Sequence, residues 1–183
     1  MFKILVKYKL FIVIILLALI ISAVLVYYFQ NRQPLSNELE LEPGKQFYFA
    51  YGSNMSLDNM SGRCGDGAKV IGPALLADYE LTFDKRGDAN IIAQTGQQVW
   101  GVAWQIDQNC LKALDRYEGY PRMYDRQDVQ INLGPQTITA MVYIEPADQS
   151  GGQPSRAYMD NRVIPGAKEN GLPAEWIKKL EQY

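Results

Sequence analysis

Phe47-Tyr48-Phe49-Ala50-Tyr51-Gly52-Ser53-Asn54-Met55 is the stretch from which the rest of the chain is read. Phe47, Phe49 and Tyr51 fall on one face at period two, with Tyr48 and Ala50 on the other, so the run begins as a β-strand. Aromatic side chains suit such a pleated, half-buried surface. Gly52 then removes the Cβ, so the backbone can turn sharply and another group can come close. Ser53 and Asn54 are good helix N-caps, and residues 56–60 can form a short helix. A strand, a glycine turn and a helix start together leave unpaired N–H groups facing the turn, a place for an anion such as a substrate carboxylate. An ordinary strand-to-helix turn in a core has the same pattern, and this stretch alone leaves both readings open.

The second informative piece is the predicted helix over residues 107–119. Asp107 suits its N-cap and Gly119 its C-terminal stop. Leu111, Leu114 and Glu118 are spaced i, i+3, i+7 and share the apolar face, so Glu118 points toward the core. It also sits in the last turn, where the helix dipole disfavours negative charge. Both effects raise a carboxyl pKa. An inward glutamate costs stability unless it is paired, so either a function explains it or Arg116 or Arg122 folds back onto it.

Composition narrows the chemistry. The chain of 183 residues contains no histidine, which removes Ser-His-Asp and Cys-His catalysis and every His-containing metal site. Its two cysteines, Cys64 and Cys110, cannot make a four-thiolate site; one disulfide or two free thiols both fit. Catalysis is left to carboxylates, tyrosines, Lys, Arg or backbone amides, with no metal and no cofactor expected. Lys3, Lys7, Lys9 and Arg32 flank the N-terminal apolar run; without them 14 basic residues face 20 acidic ones, a balance of −6. A domain of that sign is a poor nucleic-acid binder.

Residues 10–29 form an apolar run of 20, interrupted only by Ser22 and softened by Tyr27 and Tyr28. At about 1.5 Å per residue this just crosses a hydrocarbon core of about 30 Å. The run is too long for the apolar segment of a cleaved leader, and Ser22-Ala23 is a poor cleavage site, so the expectation is an uncleaved transmembrane anchor. With residues 1–9 as a basic flank, the positive-inside bias puts the N-terminus in the cytoplasm and the remainder outside. Residues 30–45 read as a linker and residues 46–183 as the folded domain.

Within that domain, residues 62–67 read as a turn-rich loop. Strands are expected over residues 70–76, 79–84, 90–94 and 99–106, with a hairpin of residues 125–133 and 137–144 across Gly134-Pro135. Gly101 signals a close backbone approach. A helix from about Ser155 meets a kink or a break at Pro165-Gly166, and another begins at Pro173. Strands mostly in sequence with few helices between them indicate an α+β fold with a curled or closed sheet.

These pieces resemble the γ-glutamylcyclotransferase family. The first block is Tyr48-Phe49-Ala50-Tyr51-Gly52-Ser53-Asn54. Trp100-Gly101-Val102-Ala103-Trp104 and Leu114-Asp115-Arg116-Tyr117-Glu118-Gly119 resemble the next two blocks, and residues 166–173 the C-terminal one. The glutathione-specific relatives read Tyr-Gly-Ser-Leu at the first block, so Asn54 argues for the other branch. The resemblance implies a small mixed fold, a β-barrel-like sheet with flanking helices and a substrate cavity at its mouth. It implies that Glu118 is the catalytic acid/base, that Tyr48, Phe49, Ala50, Tyr51, Gly52, Ser53 and Asn54 line the γ-glutamyl pocket, largely through backbone groups, and that Tyr124 and Tyr158 lie near the substrate. The implied reaction is intramolecular cyclisation of a γ-glutamyl amino acid or peptide to 5-oxoproline with release of the amine. A γ-glutamylamine or other γ-glutamyl conjugate as substrate, and a binding module that turns nothing over, are the alternatives. The anchor departs from the familiar members, which are soluble and intracellular.

Overall fold

The computed structural model describes residues 18, 20–26, 39–146 and 149–183, in two compact units, Met1–Leu39 and Glu40–Tyr183. In the first unit residues 18 and 20–26 are helical. The remainder of the anchor expected over residues 10–29, its flanking lysines and residues 30–38 of the linker lie outside the described residues. Among the described residues no helix is long and apolar enough to cross a membrane.

The second unit is built on five strands: β1 Lys45–Ala50, β2 Ala68–Phe83, β3 Ala89–Asp107, β4 Asp125–Leu133 and β5 Gln136–Ile144. They close into a barrel in the order β1-β3-β2-β4-β5, sealed by a parallel pairing of Tyr48 with Met141. The other pairings are antiparallel, and the barrel-like sheet of an α+β fold is present as expected. Closure removes free sheet edges and leaves the filling to side chains such as Phe49, Leu76, Ile91, Val99, Ile131 and Val142, all fully or almost fully buried.

The four strands read over residues 70–106 are two long ones. β2 runs through the expected gap because Asp78 takes a positive φ of 60° in a β-bulge between Ala77 and Tyr79, and its Oδ1 accepts a hydrogen bond from the Gly96 N–H at 2.8 Å. A second bulge lies between Val70 and Gly72. β3 runs through the polar residues 94–98, which are exposed and so carry no alternating pattern. Gly101 is indeed a close approach: a Cβ there would lie 2.3 Å from the Ala50 carbonyl oxygen and 2.7 Å from the Phe49 ring.

Five helical segments complete the unit: α1 Leu57–Cys64, α2 Gln108–Glu118, α3 Arg156–Tyr158, α4 Ile164–Glu169 and α5 Ala174–Leu180. Gly62, Arg63 and Cys64, expected in a loop, close α1. A π-helical turn over Met159–Val163 joins α3 to α4 without interruption, so the helix runs on through Pro165-Gly166, with Pro165 in the first turn of α4 directly after the π turn. Cys64 and Cys110 are joined in a disulfide, which fastens the end of α1 to the start of α2.

Candidate active site

β1 delivers the chain to Tyr51 and Gly52, after which Ser53–Met55 form one 3-10 turn. Ser53 and Asn54 do not cap α1; Ser56 does, its Oγ accepting from the Asn59 N–H. The two residues belong instead to the buried turn. The N–H groups of Ser53 and Asn54 open that turn and have no carbonyl one turn back, which leaves them as donors. A Cβ on Gly52 would stand 3.0 Å from the Ala89 Cβ and 3.1 Å from the Tyr158 hydroxyl, so glycine is needed here for space.

Glu118 is the last residue of α2, a helix capped by the Asp107 carboxylate and stopped by Gly119 at φ 67°. Leu111 and Leu114 bury their face of the helix in the core, and Glu118 lies partly buried one turn on. Its Oε1 accepts a hydrogen bond from Asn54 Nδ2 at 2.7 Å. The same nitrogen donates to the Tyr48 hydroxyl at 2.7 Å, and the Asn54 Oδ1 accepts from Arg63 Nη1. The ion pairs of the described residues include none from Arg116 or Arg122 to Glu118; the cation that lowers its pKa is Arg63, which also hydrogen-bonds to Asn54. Burial pushes the Glu118 carboxyl up to about 7, while the Asn54 hydrogen bond and Arg63 pull it down, and Asp88 and Glu145 add to the rise. A carboxyl titrating there can both accept and return a proton near neutral pH.

These groups enclose a cavity of about 110 Å³. Eight of the expected residues line it: Tyr48, Tyr51, Gly52, Ser53, Asn54, Glu118, Tyr124 and Tyr158. Phe49 and Ala50 do not. Phe49 alternates to the opposite face of β1 and is fully buried against Gly101, and Ala50 ends in a methyl that is buried short of the cavity. Tyr124 donates to the Ala89 carbonyl at 3.0 Å and Tyr51 to the Tyr143 carbonyl at 2.6 Å. Tyr158 accepts from the Ala89 N–H at 3.4 Å. Burial raises the pKa of Tyr48, Tyr51, Tyr124, Tyr143 and Tyr158, so all five are neutral phenols that fix geometry without adding charge.

The lining also holds residues that the sequence reading missed, among them Arg86, Asp88, Tyr117 and Tyr143, with Arg63 behind Asn54. Arg63 follows the buried Met60 by three positions in α1, a spacing that places it on the inward face. Arg86 and Asp88 are carried in by the β2–β3 turn, where the Asp84 Oδ1 accepts from the Arg86 and Asp88 N–H groups at 2.8 Å each. Arg86 in turn pairs with Asp84 and Glu145, both almost wholly buried.

The family model described as gamma-glutamyl cyclotransferase, AIG2-like, matches residues 48–161. The Gamma-glutamylcyclotransferase of Bos taurus is 33% identical over 156 residues, which cover 78% of this chain and 81% of the relative. That of Homo sapiens is 34% identical over 146 residues, 73% and 76% of the two chains. A solved structure named Gamma-glutamyl cyclotransferase superposes with a TM-score of 0.68 at 31% identity, over 75% of this chain and 86% of its own. A glycine turn and an inward glutamate in one cavity, on a barrel that superposes on that structure, thus lie within the stretch matched by the family, and the chain belongs to the γ-glutamyl cyclotransferase, AIG2-like family.

Proposed function

We propose that the chain is a γ-glutamylcyclotransferase that closes a γ-glutamyl amino acid or peptide to 5-oxoproline and releases the amine. The observation that carries this is Glu118, titrating near 7 in the cavity wall beside the Gly52 turn. The substrate brings its own nucleophile, its α-amino group. Five-membered closure onto the γ-carbonyl is intramolecular, so the effective concentration of the nucleophile is already high. The substrate's α-amino group reacts as the free amine, and the Glu118 carboxylate takes a proton from its nitrogen as that nitrogen attacks the γ-carbonyl carbon. The tetrahedral oxyanion collapses, the carbon–nitrogen bond to the leaving amine breaks, and the protonated Glu118 returns its proton to that amine. The Ser53 and Asn54 N–H groups suit the α-carboxylate or the oxyanion. A module that only bound the γ-glutamyl group would gain nothing from a destabilised, proton-exchanging carboxyl, which favours the enzyme. The test is 5-oxoproline release by the purified unit Glu40–Tyr183 across γ-glutamyl dipeptides and γ-glutamylamines; binding without turnover of any of them would favour the module.

The anchor and its orientation belong to the same proposal. Their support is the apolar run over residues 10–29 with three lysines before it, together with the Cys64–Cys110 disulfide, a bond that persists in oxidising compartments. Protease added to intact spheroplasts should remove the domain, and digestion only after lysis would reverse the orientation.

A further inference from the structure

We propose that Arg63 is a positioning residue for Glu118, acting through Asn54. This rests on the reading of Glu118 as the acid/base. Asn54 bridges the guanidinium and the carboxyl: its Oδ1 accepts from Arg63 and its Nδ2 donates to Glu118 Oε1 at 2.7 Å. A carboxamide turned over would set its oxygen against the carboxylate and its NH2 against the guanidinium, a double repulsion. Arg63 therefore fixes which end of Asn54 meets Glu118. Arg63 is itself held, its guanidinium carbon 3.6 Å from the centroid of the Tyr117 ring and its backbone next to the disulfide. Tyr117 precedes Glu118 in α2, so the same helix supplies both the platform for the cation and the base.

The charge also matters. The titratable and charged groups around Glu118 are Tyr48 and Tyr51 at the end of β1, Arg86 and Asp88 on the β2–β3 turn, Tyr117 beside it in α2, Tyr124 ahead of β4, Tyr143 of β5 with Glu145 just after it, Tyr158 of α3, and Arg63 of α1. Asp88 and Glu145 favour protonation, and Arg63 is the opposing charge that keeps the carboxyl usable as a base at neutral pH.

The experiment compares kcat/KM against pH for wild type, Arg63→Met and Arg63→Lys, with a γ-glutamyl dipeptide that the wild type turns over. Removing the cation should move the acidic limb up by about one pH unit, the low end for an opposite charge near a carboxyl. Lysine keeps the charge without the fork and should bring the limb back toward wild type. A methionine variant whose limb coincides with wild type, with activity merely scaled down, overturns the proposal. Should Arg63→Met not fold, Arg63→Gln replaces it with the same expected displacement, and a coincident limb there is equally fatal. Loss of the acidic limb in Glu118→Gln is the separate check on the underlying acid/base reading.

Discussion

Replacing Glu118 by glutamine separates catalysis from stability in one variant. The carboxyl titrates near 7 in the fold against 4.5 ordinarily, and at about 1.36 kcal/mol per pH unit its ionisation costs the folded state roughly 3 kcal/mol once the pH exceeds 7. The sign follows from the direction. A carboxyl with a raised folded-state pKa favours folding below 4.5, where both states are protonated, and that advantage fades as pH rises through 7. The glutamine variant should be no more stable than wild type near pH 4 and should exceed it at pH 8. Its carboxamide oxygen can still accept from Asn54 Nδ2, but its NH2 group is a buried donor to satisfy, so a net gain of about 1–2 kcal/mol is expected. For a chain of this size that is about 2–8 °C in Tm. Activity should move the other way: without a proton carrier, kcat should fall at least about 10²-fold, the lower end of general acid/base contributions. The assays are 5-oxoproline release and thermal melting at pH 4 and pH 8. A variant that keeps more than about a tenth of the wild-type rate shows that Glu118 is not the base. A Tm difference independent of pH shows that the carboxyl is not held in a raised state, and joint collapse of activity and Tm makes the residue structural.

Two further outcomes are expected. Gly52→Val should weaken binding of a γ-glutamyl dipeptide more than about tenfold while the domain stays folded, because the first added carbon already meets Ala89 and Tyr158 at 3.0 and 3.1 Å; near-normal KM would make the turn a connector only. Breaking the disulfide with the paired Cys64→Ser and Cys110→Ser changes should cost about 4 kcal/mol by loop entropy for a separation of 46 residues, read as a Tm drop of about 8–16 °C; an unchanged melt would show that the thiols are free in solution.

What was legible in the sequence was what repeats locally. The aromatic run from Phe47 to Tyr51 declares a strand, although its last residues are buried on both faces, and the i, i+3, i+7 spacing of Leu111, Leu114 and Glu118 declares an inward face whose helix the caps Asp107 and Gly119 mark. The hairpin of β4 and β5 was readable for the same reason. What was not legible depends on distant pairing. Asp78 in a bulge is locally indistinguishable from a strand end, so β2 read as two strands. Arg63 gains its role only when α1 lies beside α2, and Arg86 and Asp88 only when the β2–β3 turn folds over the cavity. Phe49 turns away from the cavity because a strand shows one face only every second side chain, while Ala50, on the face of Tyr48, is buried and is not among the cavity's lining residues.

Residues 166–173 add nothing to the cavity wall but support the glycine turn from behind. A Cβ on Gly166 would stand 2.7 Å from the Ser56 nitrogen, so only glycine lets α4 lie against the turn. Asn170 Nδ2 donates to the Met55 carbonyl at 2.8 Å, and Glu169 Oε1 accepts from the Leu57 N–H at 2.7 Å. These contacts pin the end of the 3-10 turn and the start of α1 from behind, as the disulfide pins the far end of α1 to α2. An intramolecular cyclisation supplies its own nucleophile, so the protein's contribution lies in holding a turn and a carboxylate in register, where a displacement of about 1 Å can cost about 10²-fold. The chemistry here requires few reacting groups and many fasteners, and the fasteners come from helical segments far apart in the chain, α1 and α4.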